Sequence, residues 1–186
     1  MAFLAGCAGS VAHKSEPVAE VAPEQVKLPP EYLKAKTLME GGYFAEAIPV
    51  LEGISSKHPE EAGPYVNMAI AYRSMGQLQE ARQALERAMQ KDQGSAVVYH
   101  QLGILLREQG SFQEAQDAYE RSLQLNGDYA LAHRNLGILY DLYLQQPQQA
   151  LLHYRKYMEL AEQPEPEVGR WVADLERRNA TDGGTQ

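Results

Sequence analysis

Five histidines and a single cysteine are the side chains here best suited to chemistry: His13, His58, His100, His133, His153 and Cys7. A zinc site would draw three or four such groups together at short spacing, yet the chain has no HExxH and no paired-cysteine motif. It also lacks the glycine-rich turn that cradles phosphates. Cys7 has no internal partner, so it is free, modified or joined to another molecule. His133 stands 34 residues after Tyr99, which itself stands 34 after Tyr65, so it reads as a packing substitute for an aromatic. His100 and His133 fall on corresponding elements and can approach one another, while His153 reads as a surface residue. No combination of these residues makes a nucleophile with its base. The chain reads as non-enzymatic, with no metal and no cofactor.

What positions these residues is a repeated element. The stretch GPYVNMAIAYRSMGQLQEARQALERAMQ aligns with AVVYHQLGILLREQGSFQEAQDAYERSLQ at a step of 34 residues. Ile70 matches Ile104, Arg73 matches Arg107, Gly76 matches Gly110 and Ala81 matches Ala115. The same step reaches back to Gly42 and Ala47, and forward to Leu136, Gly137 and Ile138. Within a unit, Tyr99, Leu102, Gly103 and Leu106 form one apolar stripe at helical spacing. Phe112, Ala115, Tyr119 and Leu123 form a second, and Gly110 between them suits a left-handed helix cap. Neither helix buries its stripe alone, so units must stack. The alanines and Gly103 mark close helix contacts.

This period with these residue types resembles the tetratricopeptide repeat, a pair of antiparallel helices. The resemblance implies an all-α, right-handed superhelical solenoid of about four helix-turn-helix units, at 28–61, 62–95, 96–129 and 130–164. The fourth unit carries one extra residue and no turn glycine. Its first helix is therefore expected to run longer than the others, with Pro147 opening the second. Beyond it, Val168, Trp171, Val172 and Leu175 share one face of a charged segment, as a capping helix requires. Trp171 is expected to close the last groove. The predicted organisation is a signal-like segment at 1–7, a tether at 8–29, the repeat domain at 30–178 and a frayed tail at 179–186.

The resemblance also implies a concave groove lined by the leading helices. Its positions fall on Tyr32, Lys36 and Met39 in the first unit and on Val66, Ile70 and Arg73 in the second. Val97, His100, Ile104 and Arg107 follow in the third, then Leu131, Arg134, Ile138 and Asp141 in the fourth. An isoleucine row, Ile70–Ile104–Ile138, would run beside an arginine cluster, Arg73, Arg107 and Arg134. That pairing suits a protein or peptide partner carrying an acidic group or a free C-terminus. The alternative is that the isoleucines bury between helices and the arginines pair with Glu108 and Asp141. The lysine–asparagine clamp of the chaperone-binding members is not matched, since only Asn67 fits it.

The chain carries 25 acidic and 17 basic residues, a net charge of −8, which argues against nucleic acid as a partner. No stretch approaches the roughly 18 apolar residues of a membrane-spanning helix. Leu4-Ala5-Gly6-Cys7, however, resembles the bacterial lipobox, in which the cysteine is lipidated and becomes the new N-terminus. No basic segment and only a short apolar run precede it, so on this reading the true start lies upstream. Ala8 and Gly9 give no aspartate retention signal, and the resemblance then implies a lipid anchor at Cys7 on the periplasmic face of the outer membrane. Proteins of this kind help assemble pilus secretins, outer-membrane machines or cell-wall enzyme complexes. The competing expectation is a soluble cytoplasmic adaptor or a regulatory subunit of an enzyme.

Overall fold

The computed structural model describes residues 29–182, with side chains placed up to residue 179. Cys7 and the motif around it lie outside the described residues. Those that are described fold into nine helices and no strand. They pair as α1 (Pro30–Glu40) with α2 (Phe44–Lys57), α3 (Gly63–Ser74) with α4 (Leu78–Lys91), α5 (Ala96–Glu108) with α6 (Phe112–Leu125), and α7 (Ala130–Leu142) with α8 (Pro147–Leu160). A ninth helix, α9 (Pro166–Asp182), closes the array. The fold is an all-α repeat solenoid.

The first three pairs turn on the same device. Gly42, Gly76 and Gly110 adopt φ of +75°, +75° and +80°. The residue after this left-handed cap donates its N–H back into the helix just ended, as Ser111 N does to Leu106 O at 2.9 Å. The fourth unit solves the turn differently from the sequence expectation. Its leading helix, with 13 residues, exceeds α1 and α3 at 11 and 12 but does not run longer than α5, which also has 13. The extra residue goes into the connection, where Gln145 takes the left-handed conformation at φ +53°. Pro147 opens α8, as its fixed φ and missing N–H allow.

The contacts within a pair are set by small residues. Ala47, Ala81, Ala115 and Ala150, one per trailing helix, are fully covered. Gly103 lies beneath the Tyr119 ring, and Gly137 beneath Tyr154; a methyl there would stand 2.5 and 2.6 Å from ring carbons. Consecutive leading helices also touch, α3 on α5 and α5 on α7, while consecutive trailing helices stand further apart. The leading helices therefore form the inside of the curve. Buried apolar side chains gather in two clusters that meet within α5, one ending at Leu105 and the other starting at Leu106.

α9 covers the open flank of the fourth unit. Val168 and Leu175 are fully buried, and Trp171 packs on Tyr154 with ring centroids 5.4 Å apart. The helix runs on to Asp182, past residue 178 where the sequence reading ended the folded domain. Asn179, Ala180 and Thr181 contain no helix breaker, and the glycines begin only at Gly183.

Candidate functional site

The inner face carries the isoleucine row. Ile70, Ile104 and Ile138 are each half-buried, so each offers part of its side chain to solvent. Beside them Val97 is 42% exposed and Leu131 45% exposed. Between the starts of α3 and α5 an open hollow of about 630 Å³ is lined by Val66, Asn67 and Val97, with Glu60, Glu61 and Lys91 at its edge. The result is an apolar strip running across three units. Not every residue expected there is available. Val66 is 7% exposed, packed in the first apolar cluster, and His100 is 2% exposed, bonded to Asn135 in the seam between α5 and α7.

The arginines do not form a free cluster. Arg73 pairs with Glu108 at 2.7 Å, joining α3 to α5. Arg134 pairs with Glu165 at 2.6 Å and lies over the Trp171 ring, joining α7 to the start of α9. Asp141 pairs with Arg178 of α9 at 3.4 Å rather than with a groove arginine. Arg107 lies over the Tyr143 ring, 5.9 Å from its centre. In the first unit the Tyr32 hydroxyl bonds the Glu61 carboxylate, and Lys36 stays exposed beside Glu40 at 3.7 Å. Met39 is half-buried in the first cluster.

His100 and His133 do not meet: His100 bridges α5 and α7, and His133 pairs instead with His153 inside the fourth unit. The Asn135 amide donates to His100 Nε2 at 2.7 Å, which leaves the ring proton on Nδ1, 3.3 Å from the Tyr129 hydroxyl oxygen. Burial drives the His100 pKa down to about 4. His133 donates from Nε2 to the Gly127 carbonyl at 3.0 Å and accepts at Nδ1 from His153, 2.9 Å away. His153 stacks on Tyr140 and is also pushed down to about 4, first by burial and then by His133. It is therefore half-buried and bonded, not the surface residue expected. Among the described residues no cluster of His, Cys, Asp and Glu is arranged to hold a metal ion, and no helix is long and apolar enough to cross a membrane.

Comparison with known proteins settles what carries this face. Two tetratricopeptide repeat family models match, one over residues 38–102 and the other over 94–163. The chain belongs to the tetratricopeptide repeat proteins. Solved repeat proteins share its course. PilF of Pseudomonas aeruginosa superposes with a TM-score of 0.73 at 22% identity, over 81% of this chain and 68% of that one. TTC0263 of Thermus thermophilus gives 0.68 at 22%, over 78% and 79%. MamA gives 0.62 at 22%, over 78% and 84%. Likeness at this identity concerns the fold alone. No curated protein sequence matches the chain.

Tetratricopeptide repeat folds bind protein partners, and the strip described above lies on the leading-helix face of this one. Sequence reasoning missed two features of this repeat protein. The partners of Arg134 and Asp141 sit on or beside α9, outside the repeats, where the 34-residue period cannot point. A hollow of about 810 Å³ also opens on the trailing-helix side, over Gly127, His133, Leu151 and Leu152. Its rim cations are already paired, Arg155 with Glu176 at 2.5 Å and Lys156 with Glu159 at 3.0 Å.

Proposed function

We propose that this repeat protein is a non-catalytic scaffold, anchored by a lipid on Cys7 at the periplasmic face of a bacterial outer membrane. Its inner face captures a segment of an envelope protein so that a larger complex assembles around it. One observation carries the binding part: Val97 and Leu131 stand exposed beside Ile104 and Ile138, on the face where two of the three groove arginines are already paired. A continuous apolar strip with most of its flanking charge neutralised favours an extended or helical segment with apolar anchors. The anchoring part is supported by Leu4-Ala5-Gly6-Cys7. Lipidation of that cysteine would fix location, leaving the inner face to choose the partner.

Replacing Val97 and Leu131 together by glutamate tests the binding face. The double variant is expected to lose the envelope partner recovered by crosslinking from native membranes. Its stability should stay within about 0.5 kcal/mol of the parent, since both side chains are exposed. Retention of the partner by a folded double variant refutes the strip as the binding face. Intact mass of material from the membrane fraction, against a Cys7→Ser control, tests the anchor. A diacylglyceryl cysteine at the N-terminus is expected. Unmodified Cys7 in the soluble fraction would instead retire the anchor and leave a repeat adaptor whose compartment has to be found separately.

A further inference from the structure

The 34-residue period allows each ion pair to be compared with its counterpart one unit on. Arg73 pairs across the α3–α5 seam with Glu108. One period later these positions are Arg107 and Leu142. The cation is repeated, and its carboxylate is replaced by a leucine. Among the described residues Arg107 has no carboxylate partner; its Nε is buried without a hydrogen bond, as is that of Arg73, and its polar neighbours are the Tyr119 and Tyr143 hydroxyls rather than an anion. The guanidinium lies over the Tyr143 ring, which stacks on Phe112 at 4.6 Å. Leu142 is 66% exposed and Tyr143 40% exposed. The seam thus presents a cation without a carboxylate next to an uncovered apolar surface.

We propose that Arg107 is the anion subsite of the inner face, completed by the carboxylate of an acidic residue in a protein partner whose neighbouring apolar side chains seat on Leu142 and Tyr143. The incoming carboxylate occupies the place that Glu108 takes on the preceding seam. Charge complementarity selects this occupant. Glu108, the next residue on α5, and Asp141 on α7 are tied to Arg73 and Arg178 rather than to Arg107. A half-buried guanidinium gains more from one charge-assisted bond than an exposed one does. The net charge of −8 resists strongly acidic partners, so a single acidic side chain among apolar neighbours fits better than an acidic run. This rests on the inner face being the partner surface, and it names the chemistry that surface recognises.

The test uses the full chain, 15N-labelled, and two capped nonapeptides centred on Leu-Glu-Leu and Leu-Gln-Leu. Titration is read at the Arg107 Nε–H signal. The glutamate peptide is expected to shift that signal saturably and to bind about tenfold tighter than its glutamine twin, with the difference fading as salt is raised. Leu142→Glu supplies the missing carboxylate from the chain itself. It should erase the preference and melt no lower than the parent. Arg107→Gln should erase the preference by removing the cation. Equal binding of both peptides, or a Leu142→Glu protein that binds the glutamate peptide like the parent, overturns the subsite. Equal binding still leaves the inner face as an apolar partner surface, whereas a folded Val97/Leu131 double variant that keeps its partner defeats that broader reading directly.

Discussion

His100 illustrates a titratable residue used for packing. Buried between α5 and α7, it accepts from Asn135 and is held neutral, with its pKa lowered from 6.5 to about 4 by desolvation. Between those two values the unfolded chain binds a proton that the folded chain does not. Stability is therefore complete above about pH 6.5 and falls as pH drops toward about 4, by up to about 3 kcal/mol from this residue. His153 adds to the loss in the same direction, less strongly because it is more exposed. Urea midpoints across this range should show the decline, and His100→Gln should flatten it. A parent protein with constant midpoints would contradict the assignment. Nothing in the sequence marked this role. The position is polar, and its burial follows from Asn135, 35 residues away, closing over it.

At the scale of the helix pair, the period made nearly everything legible. The turn glycines and fully buried alanines fall where a step of 34 or 35 places them, because one backbone geometry recurs and only small residues fit it. α7 is longer than α1 and α3 but not than α5, so the expectation misplaced the extra residue: length alone does not say where an insertion goes. The left-handed cap is the recurring geometric need, and Gln145 adopts it at the cost that a Cβ imposes there. Gln145→Gly should therefore raise stability by about 0.5–1 kcal/mol, seen as a higher melting temperature. An unchanged or lower value would mean that the Gln145 side chain makes up for the strain. The ion pairs were only partly legible: pairing of a groove arginine with Glu108 was one of the two readings left open, and Arg73 makes it, whereas Glu165 and Arg178 were not foreseen as partners. Those that tie the inner face together cross from one unit to the next, and two end on or beside α9.

At the scale of the whole molecule, the array has one finished end. α9 covers Tyr154 and Tyr157 with Val168, Trp171 and Leu175, and turns a charged face outward. A chain ending after residue 164 should lose at least about 3 kcal/mol, since several large side chains lose their cover. It should also scatter light at concentrations where the full chain does not. A truncated protein that melts at the parental temperature and stays monodisperse would show that α9 does not cap the array.

The seams between units are not interchangeable. Arg73 with Glu108 closes one, His100 with Asn135 the next, and Arg134 with Glu165 the last. A chain built from similar units risks stacking one against the wrong neighbour, within itself or with a second chain while still folding. If the helix of Val66 met that of Asn135, the amide would be buried against an aliphatic side chain, a penalty of about 1–3 kcal/mol. The polar contacts thus act as an address on each unit. They keep the second, third and fourth units and α9 in order and discourage domain swapping, a task that the repeated hydrophobic stripes, being alike, cannot perform.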